Sequence, residues 1–449
     1  MVAVAAAAAI AADAATNRCG RRMREYTVTE LDSGVRVITE RIEGVRSAAI
    51  GFWIGAGSRD EPTARAGVTH FIEHLLFKGS ARYSAQEIAE RFDTMGGELN
   101  AATSRETTVV YTRVPDDHVE IAVDVMTDMV FRPRFQDVDS EREVVLEEIA
   151  MVDDNPSDLV HDLAAEAVFG THPLGRPVIG SADVIGSVSR RALQSYHRGA
   201  YVGANIVVAA AGHVDHETFV DVLSKQVEPV SGPPRLARRP APRAGPPRSR
   251  FQRKKTEQYH VCLAARGITR TDERRYAATL LDAIVGGSAS SRLFQEIREK
   301  RGMAYSVYTY AAQFIDAGQV GLYVGTREEN LRECMEIVAS ELREVAAGAL
   351  RPGELDRAKE NVKGRLLLSL ESTSTRMTRL GKALATGVEI VSVEETIERV
   401  DSVTADDVVA LAAELFAPEG LSAGGIGPSE GRFREAIERV NPDALAQAA

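Results

Sequence analysis

Gly67-Val68-Thr69-His70-Phe71-Ile72-Glu73-His74-Leu75-Leu76-Phe77-Lys78-Gly79 is the stretch from which the rest of the chain can be read. Its residues recur with helical spacing, and on a helix side chains four apart lie one above the other. His70 and His74 can therefore offer two imidazoles to one divalent ion, while Glu73 lies close enough to reach a water beside it. Such an ion lowers the pKa of water and polarises a carbonyl, and a carboxylate is still needed to take the proton and pass it on. Two histidines four apart, among nine in the chain, also occur as a surface or satisfied core pair. A third protein ligand decides between the two, because catalytic zinc sites use three and leave the fourth position open.

About seventy residues downstream, Asp139-Ser140-Glu141-Arg142-Glu143-Val144-Val145-Leu146-Glu147-Glu148-Ile149 opens with Ser140-x-x-Glu143, a capping-box signature that predicts a helix start. Glu141 and Glu148 are two turns apart and share a face, whereas Glu147 is turned about 100° away. Glu148 is the expected ligand and Glu141 a carboxylate that orients a ligand. Taken without the histidines, these glutamates read equally well as solvated helix charges.

The order H-x-x-E-H is the inverted zinc-peptidase motif. With His70, Glu73, His74, Glu141 and Glu148 in place, the chain resembles the pitrilysin/insulinase family of zinc metallopeptidases, in the branch of mitochondrial processing peptidase and its bacterial relatives. The spacing is a residue or two shorter than the family pattern. Gly96-Gly97-Glu98-Leu99-Asn100-Ala101-Ala102-Thr103-Ser104 and Ser291-Arg292-Leu293-Phe294-Gln295-Glu296-Ile297-Arg298-Glu299-Lys300-Arg301-Gly302-Met303-Ala304-Tyr305 carry further matches, and the likeness runs from about Tyr26 to about Arg439. It implies one zinc per chain and two homologous α+β lobes. Each lobe is expected to be a mostly antiparallel sheet covered by helices, the two facing each other across a closed chamber. It also implies that Arg298 and Tyr305 contact the substrate carbonyl, and that Asn100, Ala101 and Ala102 form an edge strand to which a peptide adds. An exposed charge and a core phenol are the plain alternative for Arg298 and Tyr305, and an ordinary hairpin for the strand.

At 449 residues the chain is too long for one ordinary core. Its 44% hydrophobic and 27% charged residues suit a globular protein, and no apolar run reaches the roughly 18 residues a membrane helix needs. Three scattered cysteines, Cys19, Cys262 and Cys334, make no disulfide framework, which fits a reducing, cytoplasmic setting. Residues 1–25 hold an alanine run interrupted by Asp13 and followed by Arg18, Arg21, Arg22 and Arg24. They are expected to be a disordered or misassigned leader, with Met23 an alternative start. Residues 26–228 form the expected zinc-binding lobe, completed by a helical region around Leu159 to Phe169. Residues 229–256 hold nine Lys or Arg, no acid and several prolines, reading as an extended, solvated linker. Removing those nine charges from the formal −11 leaves −20, which favours cationic peptides over nucleic acid.

Residues 257–440 repeat the first half. Gly55 through the zinc helix parallels Ala265 through Gly287, and Val109 to Asp128 parallels Val320 to Ile337, but the second copy has no histidine at the metal position and basic or small residues around Lys363 to Arg365. The expected activity is a zinc-dependent endopeptidase, Glu73 its base, acting on unfolded peptides or precursor leader peptides as a homodimer with no nucleic-acid or membrane partner. A non-catalytic subunit of a processing complex is the alternative, disfavoured by the complete metal motif.

Overall fold

The computed structural model describes residues 26–227 and 232–446; the leader segment lies outside them. In the first half the strands are β1 (Thr27–Glu30), β2 (Arg36–Arg41), β3 (Ser47–Ile54), β4 (Glu98–Thr103), β5 (Thr108–Pro115) and β6 (Ile206–Gly212). They assemble in the order β1-β2-β6-β3-β5-β4. The second half contributes β7 (Ser249–Arg253), β8 (Tyr259–Gly267), β9 (Ala304–Gln313), β10 (Gly318–Thr326) and β11 (Ser422–Gly427), in the order β7-β11-β8-β10-β9. In the first sheet β2 and β6 run parallel and the ladders β6-β3-β5-β4 antiparallel. The second sheet repeats that pattern, with β7 and β11 parallel and β11-β8-β10-β9 antiparallel. The expected α+β fold with two homologous lobes is thus present strand for strand, β1 being an addition to the first. Residues 32–34 make the turn before β2, with Gly34 at φ 82° supplying the left-handed conformation.

Each sheet buries one face against helices of its own half and the other against a helix from the opposite half. The helix Pro156–Phe169, read from sequence as completing the first lobe, lies instead on β8 and β11. There Val160, Ala164 and Val168 pack with Cys262, Ala264 and Ile426. Reciprocally, the helix Thr373–Thr386 covers β3 and β6 of the first sheet, with Met377 and Leu380 against Trp53, Val207 and Ala209. This exchange explains the small residues in Ile206–Gly212 and Ser422–Gly427, whose strands are buried throughout. A Cβ on Gly424 would come within 2.8 Å of the Ala164 backbone, and one on Gly381 within 2.1 Å of the Trp53 indole.

The basic segment is no solvated tether. Residues 249–253 are β7 itself, and Arg238 and Arg248 before it are anchored. Arg238 holds Asp60 through two bonds of 2.6 Å, and the Arg235 amide donates to Gly199 O. Arg248 donates to Ala167 O at 3.0 Å. Arg238, Arg248 and Arg250 thus meet fixed acceptors that lie far away in sequence, which composition could not reveal. Beside it, fully buried Arg59 bridges Glu106 at 2.6 Å and Asp316 at 2.7 Å while donating to Arg239 O, and Arg270 reaches Glu106 at 3.0 Å. Both halves and the connecting segment meet in one ionic cluster. Among the described residues no helix is long and apolar enough to cross a membrane.

Candidate metal centre

The helix Val68–Leu76 buries Val68, Phe71, Ile72, Leu75 and Leu76 in the first core, which turns His70, Glu73 and His74 toward β4 and the glutamate helix. It starts at Gly67, whose φ of 94° and 2.5 Å approach of an added Cβ to Ile179 O leave room only for glycine. The glutamate helix spans Val138–Asp154. Ser140 does not cap it as the Ser140-x-x-Glu143 signature predicts. The cap is Asp137, in the left-handed region at φ 55°, and the Ser140 hydroxyl donates to Asp137 O at 3.0 Å.

His70, His74 and Glu148 can each present one donor atom such that all three lie within 4.8 Å of one another. Glu148 Oε2 is 3.3 Å from His74 Nε2 and 3.7 Å from His70 Nε2, so the two Nε2 atoms and one carboxylate converge. On the far side of its ring, His74 Nδ1 meets Glu141 Oε1 at 2.9 Å, and Lys78 Nζ holds the other Glu141 oxygen at 2.7 Å. A carboxylate on Nδ1 fixes the tautomer that leaves Nε2 free for a metal. Burial, reinforced by neighbouring His74, pushes the His70 pKa down to about 4, so its imidazole is neutral at neutral pH, the form that ligates. Two imidazoles and a carboxylate are a donor set that fits zinc.

Glu73 stands beside this cluster and accepts a hydrogen bond from the Thr103 hydroxyl at the end of β4. Burial raises its pKa, opposed by the Thr103 bond and by His74, which moves a carboxylate toward the range useful to a general base. Asn100, Ala101 and Ala102 lie on β4, which pairs only with β5 among the described strands and so forms a sheet edge. Side chains alternate exposed and half-buried along it.

The second half keeps the frame of this site and changes its chemistry. Asp282 sits three residues before the end of the helix Arg275–Val285, as Glu73 does in its own, and Thr309 on β9 donates to Asp282 Oδ1 at 2.6 Å as Thr103 does to Glu73. Where histidines would fall are Thr279 and Ala283. The positive charge of Arg365, on the helix Glu354–Ser369, acts on Asp282. Arg298 and Tyr305 are brought together in this half. Arg298, in a π-helical turn Phe294–Glu299, stacks 4.7 Å over the Tyr305 ring and donates to Tyr305 O at 2.9 Å, with Tyr305 79% exposed. Neither has a hydrogen bond or ion pair to His70, Glu73, His74 or Glu148 among the described residues.

Sequence reasoning missed Thr103, Lys78 and Glu61, the last described below. Thr103 directly follows Asn100-Ala101-Ala102 and Lys78 lies one turn beyond His74, so both were within reach; Glu61 had no local signal.

The family model described as "Insulinase (Peptidase family M16)" matches residues 36–182, and that described as "Peptidase M16 inactive domain" matches 187–362. An uncharacterized zinc protease of Streptomyces coelicolor is 43% identical over 399 residues, covering 86% of this chain and 86% of its own length. One from Bacillus subtilis is 38% identical over 396 residues, covering 88% and 96%. Among solved structures, a protease from Helicobacter pylori superimposes with a TM-score of 0.82 at 20% identity over 90% of this chain and 99% of that one. A Pseudomonas fluorescens structure described as a peptidase M16 inactive domain gives 0.83 at 22% over 90% and 99%. These last two likenesses speak to the fold alone.

Proposed function

Because the chain belongs to the insulinase (M16) peptidase family, we propose that it is itself a zinc-dependent endopeptidase that cleaves unfolded peptides or precursor leader peptides. The observation that carries this reading is the convergence of His70 Nε2, His74 Nε2 and Glu148 Oε2 with the Glu73 carboxylate alongside. Zinc held by these three residues would polarise the scissile carbonyl and lower the pKa of an attacking water. Glu73 takes the proton of that water and delivers it to the leaving amine, its burial and the Thr103 bond keeping it in place. Glu141 holds His74 in its ligating tautomer.

The substrate lies along β4 as an added strand, read through main-chain bonds to the Asn100–Ala102 segment, so that extended conformation matters more than sequence. Arg298 and Tyr305, already paired, donate to the substrate carbonyl or the oxyanion that develops from it. The acidic balance outside the 229–256 segment favours cationic peptides, and a homodimer is the proposed assembly.

The test is cleavage of a quenched fluorescent peptide library by the zinc-loaded chain, before and after chelation. The reading predicts activity lost on chelation and restored by zinc. Stoichiometric zinc with no cleavage would contradict it and turn attention to a non-catalytic subunit role.

A further inference from the structure

Glu61 is 2% exposed, yet no basic side chain lies within ion-pair distance of its carboxylate among the described residues. Its two oxygens are used otherwise. Oε2 accepts from the Gly67 amide and Oε1 from the Thr69 amide, both at 2.7 Å. These N–H groups open the helix that carries His70 and His74, and the helix start has no other side-chain cap. First-turn amides lack partners within the helix and carry its positive dipole end, so an anion there both satisfies donors and gains favourable field energy. Thr69 is further pinned through its hydroxyl to Tyr196 at 3.1 Å.

The two residues before Glu61 face elsewhere. Arg59 is locked into the ionic cluster with Asp316 of the second half, and Asp60 is held by Arg238 of the connecting segment. Arg176 donates to the Glu61 carbonyl at 2.9 Å. Residues 59–61 therefore tie the contact between the halves directly to the N-terminus of the metal helix.

We infer that Glu61 is a positioning residue, whose carboxylate clamps the first turn of the metal helix and so sets the direction of His70 and His74 from the junction between the two halves. The inference rests on the metal reading above. Its buried setting has a cost: burial raises its pKa to about 7, while the two amides, the Thr69 hydroxyl and the Arg176 charge pull the other way, and Tyr196 and Asp60 are its other titratable neighbours. Buried at that cost, the carboxylate gives the Gly67 and Thr69 amides acceptors that an apolar residue could not. Gln at this position keeps size and one acceptor but removes the charge and turns an N–H₂ toward one of the two amides.

The full-length chain as wild type and Glu61→Gln decides the matter through two readouts that need no catalysis. Zinc affinity is measured by competition with a chromogenic chelator, and amide hydrogen exchange is followed on the metal-free protein. The inference predicts a 10- to 100-fold weaker zinc affinity in Glu61→Gln, the usual effect of losing a residue that supports ligand orientation. It also predicts exchange at least about tenfold faster at the amides of residues 67–72, with the strands of the first sheet unchanged. Wild-type zinc affinity in the variant would overturn it, as would faster exchange spread evenly over the first half. Should Glu61→Gln fail to fold, Glu61→Asp, which retains the charge on a shorter stem, carries the same two outcomes in milder form. If the wild type bound no zinc, the metal reading would fail, and the exchange experiment would still decide whether Glu61 clamps the helix.

Discussion

Single side chains account for most of the chemistry. Glu141 contacts no metal position directly, but its bond to His74 Nδ1 leads us to expect that Glu141→Ala weakens zinc binding 10- to 100-fold, measurable by chelator competition. Glu61 gives a pH dependence with a definite sign. Its folded pKa of about 7 lies above the ordinary 4.5, so between those values the folded chain holds a proton that the unfolded chain has released, and stability falls as pH rises through that window. Urea unfolding of the metal-free protein should show Glu61→Gln gaining on the wild type between pH 5 and pH 8; a constant difference would contradict the assignment. His70 and His74 were legible because four-residue spacing puts them on one helix face, with Glu73 one turn from His70. Glu148 was legible only beside the upstream histidines, since by itself a helix rich in acids is indistinguishable from a solvated one. Glu61 and the Thr103 bond were hidden, because each depends on a contact made across the fold.

At the level of elements, the α+β class and the duplication followed from mixed strand and helix signals and similar strand-to-helix passages, whereas the order of strands within each sheet depends on long-range pairing that no local signal carries. Two helices did not follow. The glutamate helix begins at Val138 from a left-handed Asp137, a conformation that outweighs the local capping signature at Ser140. The helix Pro156–Phe169 crosses to the opposite sheet, which no sequence period can report because an apolar face does not name its partner. That exchange makes the close approach of Gly381 to Trp53 a sensitive point. Gly381→Val is expected to cost about 1–3 kcal/mol by overpacking, read as a lowered urea midpoint. Wild-type stability would mean the helix Thr373–Thr386 does not sit tightly on the first sheet.

For the whole molecule, the two halves are joined both by exchanged helices and by a buried ionic cluster centred on Arg59. Removing Arg59 leaves buried Glu106 with Arg270 as its remaining ion-pair partner and part-exposed Asp316 without its pair, so Arg59→Ala should lose about 3 kcal/mol. If the clamp through Glu61 transmits that damage, zinc affinity falls with it in the still-folded variant. The central claim is narrower: three residues hold zinc and Glu73 moves the proton. Its most direct test is one paired measurement of zinc content and peptide cleavage on wild type and Glu73→Gln. The account predicts one zinc per chain in both proteins and cleavage reduced by at least about 100-fold in the variant. Undiminished cleavage by Glu73→Gln, or a wild type that holds no zinc, would contradict it.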